Sequence, residues 1–149
     1  MLKIVEEGIM SVEDNKLLIR DYFEEVVNTG NVSEIEKYIA PSYADISGGQ
    51  KRIVGIEGAK EHIIGVRETY SDLTIKIEQQ IAEGEWVVSC VTAKGTHDGH
   101  WLGMKPTGKS VTITAVNVDR VVNGMIVEHG GAANTFEALL EIGAIEVVR

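Results

Sequence analysis

The hydrophobic period of this chain changes once, near Tyr70, and that change fixes the order of its architecture. Before Tyr70, apolar residues recur about every 3.6 positions; from Leu73 onward they alternate. Leu17, Leu18, Tyr22, Val26 and Val27 form a helical stripe that predicts a first helix from about Val12 to Val27, with Ser11 as its N-cap. Gly30 ends it. Asn31 with Glu34 predicts the cap of a shorter second helix carrying Val32, Ile35, Tyr38 and Ile39, which Pro41 stops. Tyr43 to Ile46 reads as a short strand, and Ser47 to Arg52 as a polar, glycine-rich loop. Ile56, Ala59, Ile63, Val66 and Tyr70 stripe a third helix.

After the switch, four strands are expected over Leu73–Ile81, Trp86–Thr96, Val111–Val122 and Met125–Ala133. Asn123-Gly124 is a two-residue hairpin signal between the last two. Thr135 to Ile142 predicts a short terminal helix ended by Gly143. Helices first and antiparallel strands after define an α+β class and exclude a regular strand–helix alternation. A curved antiparallel sheet wrapped around the N-terminal helices, as a cone, buries both apolar faces. Residues 10–149 read as one domain. Residues 1–9 have no amphipathic partner and read as an extension, with Met10, directly before the Ser11 cap, as the expected native start.

Charge narrows the function. There are 23 acidic against 14 basic residues, a net charge of −9. Such a chain disfavours nucleic acid and anionic membranes as partners. No apolar run approaches the ~20 residues of a membrane span. Cys90 is the single cysteine, so no intrachain disulfide forms, and a reducing, cytoplasmic setting is expected.

Several segments together carry a family resemblance. They are Leu18-Ile19-Arg20-Asp21-Tyr22-Phe23 with Gly30-Asn31, and Gly55-Ile56-Glu57-Gly58-Ala59-Lys60. Then come Gly95-Thr96-His97-Asp98-Gly99, Pro106-Thr107-Gly108-Lys109, and Asn123-Gly124-Met125-Ile126-Val127-Glu128-His129. In these the chain resembles the SnoaL-like polyketide and ester cyclases of the nuclear-transport-factor-two-like superfamily. The resemblance implies a conical pocket for a small hydrophobic ligand, a homodimer formed through the sheet, and no obligatory cofactor. Catalytic members close a ring by an acid–base intramolecular aldol reaction. The resemblance places their general acid/base Asp at Asn134 and a Trp at Gly130. It also places a His at Ile46 and an Arg at Cys90, so all four positions depart from the pattern.

The remaining candidates are read from residue chemistry. Asn134 does not titrate near neutral pH, but it can orient a carbonyl; with Glu137 it also matches a helix N-cap. Asp45 is the surviving base candidate, at a position resembling the base of the ketosteroid isomerase branch, with Tyr22 near that branch's oxyanion donor. Asp45 equally suits a turn before Ser47-Gly48-Gly49. His129 ends the last strand near the expected rim and titrates near neutrality, although a purely structural histidine fits as well. Strand alternation leaves open whether Glu128 or His129 faces inward. Tyr43, Ile46, Cys90 and Gly130 are expected to line the pocket, with Trp101 and Met104 at its mouth or in a dimer contact. Cys90 reads as a small buried hydrophobe. His97-x-x-His100 without further ligands falls short of a metal site. Two functions therefore stand side by side. One is a cyclase- or isomerase-like enzyme with Asp45 as base and Tyr22, His129 or Asn134 polarising a carbonyl. The other is a non-catalytic binding protein of the same fold.

Overall fold

Ser11 opens the first helix as its sequence predicts. Its Oγ accepts the Asp14 backbone N–H at 3.1 Å, and Asp14 Oδ2 accepts the Ser11 backbone N–H at 3.0 Å. This reciprocal pair is a capping box, and the bonds from Ser11 hold the Asp14 carboxyl below its ordinary value. The computed structural model describes residues 10–149, so the expected extension and the choice between Met1 and Met10 lie outside the described residues.

Helix α1 (Val12–Tyr22) continues into a widened π-helical turn over Phe23–Val27. A 3₁₀ turn follows at Val32–Lys37. Next come strand β1 (Ile39–Ser47), strand β2 (Gln50–Ile53) and helix α2 (Gly55–Thr69). Strands β3 (Thr74–Glu83), β4 (Trp86–Thr96), β5 (Ser110–Val122) and β6 (Met125–Asn134) then form a meander, and α3 (Phe136–Glu141) ends the order. The six strands make one sheet in the order β2-β1-β6-β5-β4-β3. Only β1 and β6 run parallel; the other neighbours are antiparallel.

Three local expectations are corrected. The expected loop after Ile46 is a hairpin into β2. Gly48 and Gly49 both take positive φ to make its tight turn, and all four β2 residues are exposed, so no apolar alternation marks them. Pro41 lies inside β1 rather than ending a helix. It falls in the irregular stretch between Ile39 and Ala44, where β1 is out of register with β6 and needs no donor. Neither expected asparagine cap forms: Asn31 makes no capping bond, and Asn134 completes β6 while Thr135 takes the cap position of α3.

The main core lies between the helices and the concave face of the sheet. Ile19, Phe23, Val26, Ile39, Ile63, Val87, Val91 and Ile126 pack there. Asn28 ties the two layers, since its side chain donates to Ile75 O at 2.9 Å and accepts from Ile75 N at 2.7 Å. A second, smaller core joins Tyr70, Leu73, Val111, Ala138 and Ile142, with Trp101 and Met104 packed on it. The loop from His97 to Lys109 closes over this second core. Gly99 N–H donates to Thr69 O at 3.0 Å, and a Cβ at Gly99 would stand 1.7 Å from Glu68 O, so no other residue fits.

Candidate active site

Alternation on the strands decides what the cone encloses. On β5 the odd residues Ile113, Ala115, Asn117 and Asp119 face the helices, and on β4 Val91 and Ala93 do. With Tyr22, Phe23, Tyr43, Ala59, His62, His129 and Ala133 they line a cavity of about 200 Å³. Two further spaces, of about 350 and 130 Å³, also have His62 in their lining. Its walls are mostly apolar, and its titratable groups gather on the side formed by β1, β5, β6 and α2.

One pair dominates that side. His129 Nδ1 lies 2.6 Å from Asp119 Oδ1, and Asp119 is only 3% exposed. A carboxylate only accepts, so the Nδ1–H donates and Nε2 is left to exchange a proton. A bulge creates this pair. Counting back from the Asn123-Gly124 turn without interruption sets Asp119 opposite Glu128, two like charges. In the structure the register shifts between Arg120 and Val121, leaving Val127 unpaired, and Asp119 meets His129 while Arg120 meets Glu128. Opposite charges across a ladder are favourable and like charges are not, so the bulge resolves a conflict written in the sequence. It also settles the open parity: His129 faces the cavity, and Glu128 faces outward to Lys51 and Arg120.

The electrostatics follow from these neighbours. Burial favours the neutral imidazole of His129. The hydrogen bond to Asp119, its charge and that of Asp45 outweigh burial, so the His129 pKa stands above the ordinary histidine value. His62, on α2, shifts the other way. Burial lowers its pKa first, the charge of His129 adds to this, and Asp45 opposes. His62 is nonetheless an exposed residue, so atoms packed around its ring, rather than exclusion from water, account for this shift. Burial, and then the charge of Asp119, hold the Tyr22 hydroxyl protonated far above neutrality. Tyr43 behaves alike, through burial and the charges of Tyr22, Asp119 and Asp45.

The residues singled out from sequence fall into three groups. Tyr22, Tyr43 and His129 line the cavity together. Asp45 does not; it is half-buried in the adjoining 130 Å³ space with Tyr43, Val54, Gly58 and His62, and sits beside His129 in the β1–β6 register. Cys90 and Asn134 are corrected: both border an open groove on the opposite face of the sheet, because their strand positions have the outward parity. Gly130 and Ile46 likewise leave the pocket. They meet on the outward side, where a Cβ on Gly130 would lie 3.0 Å from Ile46 Cβ, so Ile46 fills the space a larger residue would need. Trp101 and Met104 pair with each other and pack on the second core, and Trp101 reaches only the 350 Å³ space beside α2. Asp119, Asn117 and His62 were missed in the sequence. Only the charge conflict at the hairpin could have disclosed Asp119. Among the described residues, no three His, Cys, Asp or Glu side chains converge to hold a metal ion.

A curved sheet closed by helices around an apolar cavity, with a histidine–carboxylate pair on one wall, defines a class of cone-shaped α+β folds. The comparisons narrow this class. The profile of the SnoaL-like polyketide cyclases matches residues 17–142, and the chain belongs to that family. It is 32% identical over 104 residues to nogalonic acid methyl ester cyclase of Streptomyces nogalater, covering 68% of this chain and 78% of that one. It is 28% identical over 109 residues to aklanonic acid methyl ester cyclase AcmA of Streptomyces galilaeus, covering 70% and 74%. The crystal structure of AclR from Streptomyces galilaeus, named as a candidate hydroxylase, superposes with a TM-score of 0.82 at 25% identity, covering 93% of this chain and 87% of that one.

Proposed function

We propose that this protein is a cofactor-independent cyclase or isomerase that moves protons on a carbonyl-bearing, polyketide-like or polycyclic substrate. The observation that carries the reading is the Asp119–His129 pair on the wall of an otherwise apolar cavity. In this reading His129 Nε2 gives its proton to the substrate carbonyl oxygen as negative charge develops there, and Asp119 fixes the ring and stabilises its charged form. The Tyr22 and Tyr43 hydroxyls stay protonated and serve as hydrogen-bond donors to the same oxygen. Asn117 orients the substrate, and the apolar walls exclude water. Asp45 acts through its charge on the two histidines, because it lines the side space rather than the cavity. The similarity to two methyl ester cyclases supports a methyl ester as the substrate type.

Two further features belong to the same reading. The outer face of β3–β6, with exposed Ile81, Trp86 and Val116 around the shallow groove, is the surface proposed to pair with a second copy. A lone, half-buried cysteine suits a reducing cytoplasm. No described helix is long and apolar enough to cross a membrane.

The test incubates the protein with nogalonic acid methyl ester and follows the product by chromatography and mass. A new isomer of unchanged mass, formed by wild type and lost in Asp119→Asn, is expected. Ester that binds and returns unchanged refutes the enzyme reading in favour of a binding protein.

A further inference from the structure

Proton transfer to a carbonyl oxygen accounts for half of an enolisation; the other half needs a base within reach of the neighbouring carbon. Asp119 is engaged behind His129 and nearly inaccessible, at 3% exposure. Asp45 lies outside the main cavity. Both tyrosine hydroxyls are protonated and cannot accept a proton at neutral pH. Among the described cavity-lining residues that leaves one other titrating group, His62, on the helical wall that faces the sheet.

We propose that His62 is the base that removes the proton from the carbon beside the substrate carbonyl, while His129, on β6, protonates the carbonyl oxygen. This rests on the acid–base reading above and assigns its second residue. The surroundings of the two rings differ in the required sense. His129 carries a carboxylate partner at 2.6 Å, and no hydrogen-bonded partner holds His62 among the described residues. The groups around His62 are Tyr43 and Asp45 from β1, His129 from β6, and Glu61 beside it on α2. Of these, burial and the positive charge of His129 favour the neutral ring and exceed the opposing charge of Asp45. Two like titrating groups driven in opposite directions by their settings make an acid and a base. His62 also lines all three of these spaces.

The step balances without an oxidant or cofactor. His62 takes the α-proton, the C–H electron pair becomes the enol double bond, and the carbonyl oxygen gains the proton from His129. The enol carbon then attacks a second carbonyl of the same molecule and a C–C bond forms. The new alkoxide takes the proton held by His62, and His129 recovers the enol proton. Nothing is gained or lost, and the product is an isomer.

The first half can be read with a simple ketone. 2-Tetralone, a bicyclic ketone with acidic α-hydrogens, is incubated with the full chain in deuterium oxide, and α-deuteration is followed by NMR across pH. Wild type is expected to show a bell-shaped rate profile. The acidic limb comes from protonation of His62, below the ordinary histidine value. The alkaline limb comes from deprotonation of His129, above it. His62→Gln should bind the ketone as before, lower the exchange rate about 10²-fold and erase the acidic limb, while His129→Gln erases the alkaline one. If His62→Gln exchanges at the wild-type rate with the acidic limb intact, the assignment of His62 falls and the reading of the pair stands. If wild type fails to bind the ketone, or binds it and exchanges nothing, both fall together. Ring NMR titration of the folded protein gives a second, ligand-free readout: a His62 pKa above that of His129 overturns the proposal.

Discussion

His97 and His129 are both enclosed by this fold, and their surroundings differ in kind. His97 is fully buried in the loop over the second core. Its ring forms a triangle with those of Tyr70 and Trp101, 6.2 Å from each centroid, while those two centroids lie 5.8 Å apart. Its Nδ1 lies 3.0 Å from Thr107 Oγ1 and its Nε2 has no partner. Its backbone holds the loop through Lys109, Thr107 and Gly108. The adjacent Asp98 is turned toward Ser71. His129 has a carboxylate at 2.6 Å, a second carboxylate close by and an open cavity in front. The comparison teaches that burial alone turns a histidine into a wedge. Chemistry requires a charged partner on one ring nitrogen and access on the other.

The comparison can be broken at several points. The largest expected effect is from Asp119→Asn, which leaves the ring without its carboxylate. Turnover or α-deuteration per folded molecule should fall by about 10²-fold or more. A mutant that keeps its rate would make the pair merely structural. His97→Ala should do the reverse: denaturant unfolding should show a loss of about 2–4 kcal/mol from the cavity it leaves, while the rate per folded molecule stays unchanged. A fall in that rate would give His97 a part in the chemistry.

A subtler expectation concerns pH. The fold raises the His129 pKa, so its contribution to stability is full below the ordinary histidine value and is lost as pH rises through the raised one. The stability gap between wild type and Asp119→Asn should therefore narrow in urea titrations as pH rises from below the ordinary histidine value through the raised one. A gap that stays constant would mean the pair is not held as an ion pair. The smallest effect belongs to the outward side of the same bulge. Lys51, more than half exposed, pairs with Glu128, and Arg120 also reaches that carboxylate. Lys51→Ala should cost about 0.5 kcal/mol by thermal unfolding; a cost several times larger would mean that the outer pair also fixes the register.

Much of the fold was legible because repeated patterns write it. The helical stripe ending at Tyr70, the alternation after Leu73 and the Asn123-Gly124 turn locate α1, α2 and the four-strand meander to within a few residues. Strand β2 was not legible, since Gln50–Ile53 is an exposed edge with no buried face to impose a period. The site was legible only in part. Tyr22, Tyr43 and His129 were identifiable as residues at the right places on their elements. Cys90, Asn134, Ile46 and Gly130 were misplaced because a one-residue change of register exchanges the two faces of a strand.

The sequence by itself determined the class of architecture, the family and the set of side chains able to carry protons. Hydrophobic period and turn chemistry are local properties, and each is read within a window of a few residues. Only the tertiary structure decided which of those side chains meet. The Asp119–His129 contact depends on a single bulge at Val127, and the facing of His62 toward it depends on how α2 lies across the sheet. Both are products of packing between segments distant in the chain, where the balance of charge and burial is set by neighbours that no local pattern records.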